Sequence, residues 1–172
     1  MNETRHVDPA DFLKSFFVVA FHYVILFFGI LMGMMIIARL RFPEIFRLWT
    51  LEEDKRDEFH DAWENAPELL FPVEMCLWLI LIATLMSLFI GLQVAFWAPF
   101  SKAGHGIFLA VVCVVTWLQI SMTQDQIPKW MLMAMLLLSP ASIVLASKIG
   151  EGWFTRAVDE PPPDDDSAGP SE

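Results

Sequence analysis

Four stretches of this 172-residue chain contain no Asp, Glu, Lys or Arg: residues 15–38, 75–101, 103–124 and 130–147. They are 24, 27, 22 and 18 residues long and together make up just over half the chain. About 20 apolar residues carry a helix across the hydrocarbon core of a bilayer. Within that core every backbone N–H and C=O needs an internal partner, which a helix supplies along its own length. The pattern therefore predicts an all-α polytopic membrane protein, a four-transmembrane-helix bundle. Apolar residues are 56% of the chain and charged ones only 19%, and so much uncharged length excludes a soluble globular domain or a disulfide scaffold. It also leaves no room for a separate soluble catalytic domain.

The charge that remains is concentrated. Residues 39–68 carry five basic and nine acidic groups, and residues 157–172 carry six acids and no base, within a net charge of −10. An acidic surface repels nucleic acid and anionic lipid heads, so no nucleic-acid partner is expected. The two cysteines, Cys76 and Cys113, fall at different depths of different spans and are read as unpaired apolar core residues. The first 15 residues are polar, with Glu3, Asp8 and Asp11, and no small-residue cleavage pattern follows the first apolar run. Span one is expected to be retained.

The expected organisation is a polar segment over 1–15, spans over 16–40, 70–98, 105–122 and 130–149, and a helical loop over 41–68. Residues 151–172 read as an acidic, Pro-rich disordered tail, with the composition strongest over Asp159–Glu172. In the loop, Phe42, Ile45, Phe46 and Trp49 recur with helical spacing behind Pro43. Thr50-Leu51-Glu52-Glu53 reads as a capping box opening a second short helix that carries Phe59 and Trp63. Both helices are expected to lie on the membrane surface, aromatic side down. Pro99 is expected to end span two, and Pro140 sits within span four beside Ser139 and Ser142. Four spans place both termini on one side. Basic residues number five on that side and six on the other, so they do not set the orientation.

Lipid tails are as apolar as leucine, so helices associate in a bilayer where small residues let backbones approach. Span one offers Gly29-x-x-x-Gly33. Span two offers Ala83, Ser87, Gly91 and Ala95, and span four Ser142, Ala146 and Gly150. With spans one and two antiparallel, Gly29 and Gly33 are expected to face Ser87 and Ala83. A homodimer seam is the second reading of these stripes.

Polar residues inside spans are few, and each is a candidate for function. His22 lies about 7 Å from the midplane at 1.5 Å per residue, with Gln93 at a similar depth as its expected hydrogen-bond partner. Thr84, Thr116 and Gln119 fall on the other side of the midplane. Glu74 and Arg39 share the headgroup level, which predicts an interfacial ion pair. His22 is a weak candidate for a cofactor ligand, with His105 a turn or two shallower. Asp57, His60 and Glu64 are weak candidates for a metal on the loop helix, where a solvated face is the plainer reading. No activated Ser or Cys, phosphate loop or paired intramembrane carboxylate is present, so no catalytic residue and no cofactor are predicted.

Several short motifs resemble a family of small, uncharacterised bacterial four-helix membrane proteins. They are Phe42-Pro43-Glu44-Ile45-Phe46 after span one, Glu58-Phe59-His60 in the loop, Pro72-Val73-Glu74-Met75 opening span two, and Trp117 with Gln126-Ile127-Pro128. The resemblance covers roughly residues 17–135. It departs at Arg41-Phe42 and Lys129-Trp130, where the family pattern has histidines. It implies a multi-pass protein of the bacterial inner membrane and no known reaction. Asn65-x-x-Glu68 followed by Pro72 also resembles the membrane-associated eicosanoid and glutathione enzymes, although span three here lacks their arginine.

The function expected from these features is that of an accessory or assembly subunit, or an interaction protein, in contact with the lipid bilayer and with a protein partner or a second copy. Two alternatives come from other classes. One is a membrane enzyme or a haem or metal carrier using His22 or the Asp57, His60 and Glu64 group. The other is a small-molecule carrier or pore lined by Gln93, Thr84 and Gln119.

Overall fold

The computed structural model describes residues 9–50, 56–98 and 101–159. Their order is α1 (Pro9–Arg41), α2 (Pro43–Trp49), α3 (Arg56–Asn65), a 3-10 turn (Pro67–Leu69), α4 (Val73–Trp97), α5 (Lys102–Thr123) and α6 (Lys129–Asp159). The protein is all-α, and α1, α4, α5 and α6 are each long and apolar enough to cross a membrane.

Prolines punctuate the chain by removing an N–H donor and driving the preceding residue out of the helical region. Phe42, before Pro43, has φ −133° and ψ 61°, which separates α1 from α2. Its N–H still closes α1 on the Ala38 carbonyl at 2.9 Å, and its own carbonyl starts α2 by accepting from Phe46 N–H at 2.9 Å. Pro72 is extended at φ −60° and ψ 150° and opens α4, its carbonyl accepting from Cys76 N–H at 3.0 Å. Ala98 is likewise extended, with ψ 126°, one residue before Pro99, which itself lies outside the described residues. Pro140 is tolerated inside α6, where it is buried against the bundle.

Two boundaries differ from expectation. Thr50 does not open α3; its hydroxyl donates backwards to the Phe46 and Arg47 carbonyls, both at 3.1 Å, and closes α2. The rest of the expected capping box, Leu51 to Glu53, lies outside the described residues. At the other end, α6 continues to Asp159, into the stretch 151–172 expected to be tail. The acids and prolines that gave the tail its character begin at Asp159. The residues before them are compatible with a helix and prolong the one already running out of span four. Residues 160–172 lie outside the described ones.

Residue pairings across the interfaces set an up–down–up–down bundle. Gly29 meets Met86 and Gly33 meets Ile82, so α1 and α4 are antiparallel. Tyr23 meets Thr116, while Ser15 and Phe108 line one cavity, so α1 and α5 run together. Gly91 meets Ile143 and Ala146, so α4 and α6 lie side by side along the α4/α6 seam. In register along this seam, Ala83 shares a core cluster with Met135, and Gly91 lies beside Ile143, both 52 positions on. α4 and α6 are therefore parallel.

That seam is the most extensive interface in the bundle. Ala83, Ser87, Gly91 and Ala95 are all buried, and Ser147 donates its hydroxyl to the Gly91 carbonyl at 3.1 Å. A Cβ added at Gly91 would stand 2.6 Å from the Ile143 carbonyl oxygen and 2.8 Å from the Ala146 Cβ. Close approach is thus a requirement there. Gly106 of α5 gives the same access to the Ser147 side chain.

The expected partners of the glycines on α1 are corrected by one residue. Gly29 and Gly33 receive Met86 and Ile82, not Ser87 and Ala83. One residue is about 100° of helix, so α4 uses two faces. Its small stripe packs on α6, and the neighbouring bulky face fills the hollow over the glycines of α1. The small stripe of α4 is consumed inside the chain and is not a homodimer seam.

α1 is the least buried of the four spans. Only 17% of its most apolar stretch is buried, against 22% in α5, 39% in α4 and 44% in α6, so α1 and α5 are the outer pair and α4 and α6 the inner one. Phe16, Phe17, Phe21, Phe27 and Phe28 stand exposed along its outer surface. On the loop side, the rings of Trp49 and Trp63 lie 6.0 and 6.2 Å from Phe71, and Phe59 stacks on Trp63 at 5.9 Å. This aromatic group ties α2 and α3 to the start of α4, a contact with Phe71 that the stripe spacing did not specify.

Candidate functional site

Most polar groups inside the bundle are tied to backbone or to each other. His22 is buried (4% exposed) on the face of α1 that carries Val19 and Leu26. Its Nδ1 lies 2.6 Å from the Val18 carbonyl. A carbonyl only accepts, so Nδ1 carries the proton. The expected His22–Gln93 bond is not formed: the Gln93 side-chain oxygen accepts instead from Trp97 Nε1 at 3.3 Å. Placed four residues apart on one helix face, Gln93 and Trp97 meet with no need for a second helix.

Thr84 donates to the Ile80 carbonyl at 2.8 Å, and Gln119 is exposed on the outer face of α5. Of the residues expected to line a pore, Thr84 is thus bonded within its own helix and Gln93 to Trp97. A polar link that sequence spacing did not reveal joins α1 to α5. Thr116 donates to the Val112 carbonyl at 3.0 Å, so its oxygen accepts from the Tyr23 hydroxyl at 2.9 Å. A tyrosine in a span, the only one in the chain, was the available signal, because a buried phenol needs a partner.

At the headgroup level the expected Arg39–Glu74 pair is replaced. Glu74 Oε1 lies 3.6 Å from an Arg41 guanidinium nitrogen. The Arg39 guanidinium instead sits 5.9 Å from the centre of the Phe46 ring, drawn over the aromatic face. Lys129 closes α5, its Nζ donating to the Ser121 carbonyl at 3.0 Å, to the Gln124 carbonyl at 3.4 Å and to Asp125 at 2.9 Å. A cation there meets the negative end of the helix dipole.

In the loop group, His60 Nε2 faces Glu64 Oε1 at 3.2 Å, with both side chains well exposed. Asp57 is exposed on the same helix. Among the described residues, no three His, Cys, Asp or Glu side chains are placed to hold a metal ion. Cys76 and Cys113 are buried and unpaired with each other, as expected.

An open concavity lies between α1 and the first turns of α5. It has a volume of about 260 Å³. Phe16 and Val19 of α1 and Phe108 of α5 form its apolar walls, and Ser15, Ser101 and His105 supply polar groups. Ser101 adopts a left-handed conformation, φ 31° and ψ 69°, which is unusual for a residue with a Cβ. In this conformation its carbonyl accepts both the His105 N–H at 3.1 Å and faces His105 Nδ1 at 3.0 Å. Gly104 makes room for the turn, since a Cβ there would stand 2.6 Å from Ser101 Oγ. From the sequence, His105 stands out only as the second histidine of the spans, shallower than His22. That it lines a cavity depends on how α1 lies against α5, which no local pattern encodes. Comparison with protein-family models, curated proteins and solved structures finds no match to the chain.

Proposed function

We propose that this protein is a non-catalytic accessory or assembly subunit of the bacterial inner membrane, with both termini on the same side. The observation that carries the reading is the division of labour among the spans. α4, α5 and α6 pack through small residues into a unit closed by backbone contact. α1 is laid against that unit with its polar side chains, His22 and Tyr23, turned to structural bonds, and it presents a Phe-rich outer face along several turns. Aromatic side chains give large contact area at low entropic cost, a property suited to helix–helix recognition. The expected partner is an integral membrane protein seated on α1. The exposed acids of α3 add a charged surface at the opposite end.

The test is native mass spectrometry of the full-length protein extracted gently from its own membrane, as wild type and with Phe17, Phe21 and Phe28 changed together to Leu. A stoichiometric second polypeptide that is lost in the triple variant supports the reading, provided the variant melts like wild type. Monomer alone, or a partner retained by the variant, overturns it.

A further inference from the structure

We propose that α6 is hinged at Pro140, so that its first half, Lys129 to Ser139, tilts against α4 while its second half stays fixed. Proline has no N–H, so the Leu136 carbonyl one turn earlier loses its ordinary partner in the helix. Two hydroxyls stand close by in sequence and level. Ser139 precedes Pro140 and is 1% exposed, and Ser87 of α4 is fully buried. Neither hydroxyl has a hydrogen-bond partner among the described residues. The two serines are 52 positions apart, the register that sets Gly91 beside Ile143, so they share one level of the α4/α6 seam. Two donors and a released carbonyl are thus gathered near the middle of the span. Buried polar groups without a bond are costly, and a tilt that turns either hydroxyl onto the Leu136 carbonyl recovers a bond.

The seam is built differently on the two sides of Pro140. Beyond it, backbone meets backbone. A Cβ on Gly91 would stand 2.6 Å from the Ile143 carbonyl oxygen, and Gly106 of α5 closes on the Ser147 side chain. Ser147 also donates to the Gly91 carbonyl at 3.1 Å. Contacts of this kind admit little sliding. Before Pro140, the seam is held by side chains, with Met131 and Met135 packed on Leu79 and Ala83. Methionine is unbranched and refills a changed gap by turning its own bonds. One half is therefore clamped and the other is adaptable, with the released carbonyl at the junction. Two packings of close free energy are what such a junction supports. Kinks at proline exceed about 20°. Over the ten residues from Trp130 to Pro140, roughly 15 Å of helix, a bend of about 20° carries the start of α6 through about 5 Å. The movement loosens the loop end of the bundle and leaves the other end shut. It requires no protein partner on α1.

The test measures distances between paired nitroxide labels by pulsed electron resonance on the full-length protein in lipid nanodiscs, with Cys76→Ala and Cys113→Ala as background. One pair, Leu77→Cys with Trp130→Cys, spans the adaptable half, and the other, Phe96→Cys with Ile149→Cys, spans the clamped half. All four positions are exposed. The expected result is two distances about 5 Å apart for the first pair and a single distance for the second. Pro140→Ala returns the missing N–H, and Ser87→Ala with Ser139→Ala removes both hydroxyls. Each change should reduce the second population of the first pair at least threefold in protein that melts like wild type. Should Pro140→Ala not fold, the serine double variant decides alone. A single distance for the first pair, two distances for both pairs, or a second population undiminished in a folded variant overturns the proposal.

Discussion

Replacing Gly91 with Ala places a methyl group where two parallel helices touch through their backbones. The added Cβ would lie 2.6 Å from the Ile143 carbonyl oxygen, 3.1 Å from the Ile143 Cα and 2.8 Å from the Ala146 Cβ. Carbon–oxygen contacts settle at about 3.3–3.6 Å, so α4 and α6 must part locally by about 0.7–1 Å. A gap of about 0.5–1 Å forfeits a quarter to a half of each van der Waals contact it opens, and overpacked interiors lose about 1–3 kcal/mol. The Ser147–Gly91 hydrogen bond is worth a further ~0.6 kcal/mol inside a membrane. Against this, Ala is favoured over Gly in a helix by about 1 kcal/mol. The net expectation for Gly91→Ala is a loss of about 0.6–2.6 kcal/mol. Gly29→Ala is the control. Its Cβ would meet the terminal methyl of Met86, the end of a side chain with three rotatable bonds that can turn aside. Its expected change is within about 0.5 kcal/mol of zero once the same propensity gain is counted. Unfolding by SDS in mixed micelles, followed by circular dichroism, measures both. If Gly29→Ala proves more damaging than Gly91→Ala, or Gly91→Ala unfolds with wild type, the backbone-contact reasoning is wrong.

Other perturbations follow from the same contacts. Ser87 and Ser139 are fully buried on the α4/α6 seam with no hydrogen-bond partner for either hydroxyl among the described residues. A buried polar group left unsatisfied costs about 1–3 kcal/mol, so Ser87→Ala and Ser139→Ala should leave stability unchanged or raise it by about 1 kcal/mol in the same SDS titration. A clear loss would show that the hydroxyls are satisfied. Tyr23→Phe removes the donor to Thr116 and should cost about 0.6 kcal/mol, the usual value between membrane helices; a loss several times larger would mark a wider polar network. The Arg41–Glu74 pair is long and more than half exposed on both sides. Glu74→Gln should therefore shift stability by less than about 1 kcal/mol, and a larger shift would mean the pair is shielded from solvent. Cys76 and Cys113 are both buried, so neither should react with a maleimide in the folded protein, and both should react after denaturation. Rapid labelling of either without denaturant would contradict the packing.

Much of the fold is legible because a bilayer tolerates few backbone solutions. An uncharged run of sufficient length must be a helix, and four such runs set an all-α bundle before any contact is known. The prolines at 43, 72 and 128 act locally, through a missing N–H and a restricted neighbour, so the helix starts they mark are readable from the chain. The aromatic spacing of Phe59 and Trp63 is equally local and marks the helix that carries them, but not its packing on Phe71. Which small residues meet is another matter. Ala83, Ser87, Gly91 and Ala95 announce a close-packed face, but a face has no address. Only the arrangement of four helices shows that it belongs to α6 and that Met86 and Ile82, about 100° around α4, fill the glycines of α1. The same holds for side chains long enough to choose. Arg39 and Arg41 both reach the headgroup level, and the Phe46 ring takes one while Glu74 takes the other.

The candidate site divides along the same line. The sequence by itself determined that His22, Tyr23, His105 and Thr116 stand inside or at the rim of spans, because position along an uncharged helix sets depth. Tertiary structure decided which of them meet another helix. His22 bonds the Val18 carbonyl of its own helix, while the rotation of α1 about its axis buries His22 and brings Tyr23 onto Thr116. The separation of α1 from the first turns of α5 opens a cavity against His105. Depth is a property of one helix and is written in its residues. Rotation and separation are properties of a pair, set by the sum of many weak contacts that no single segment carries.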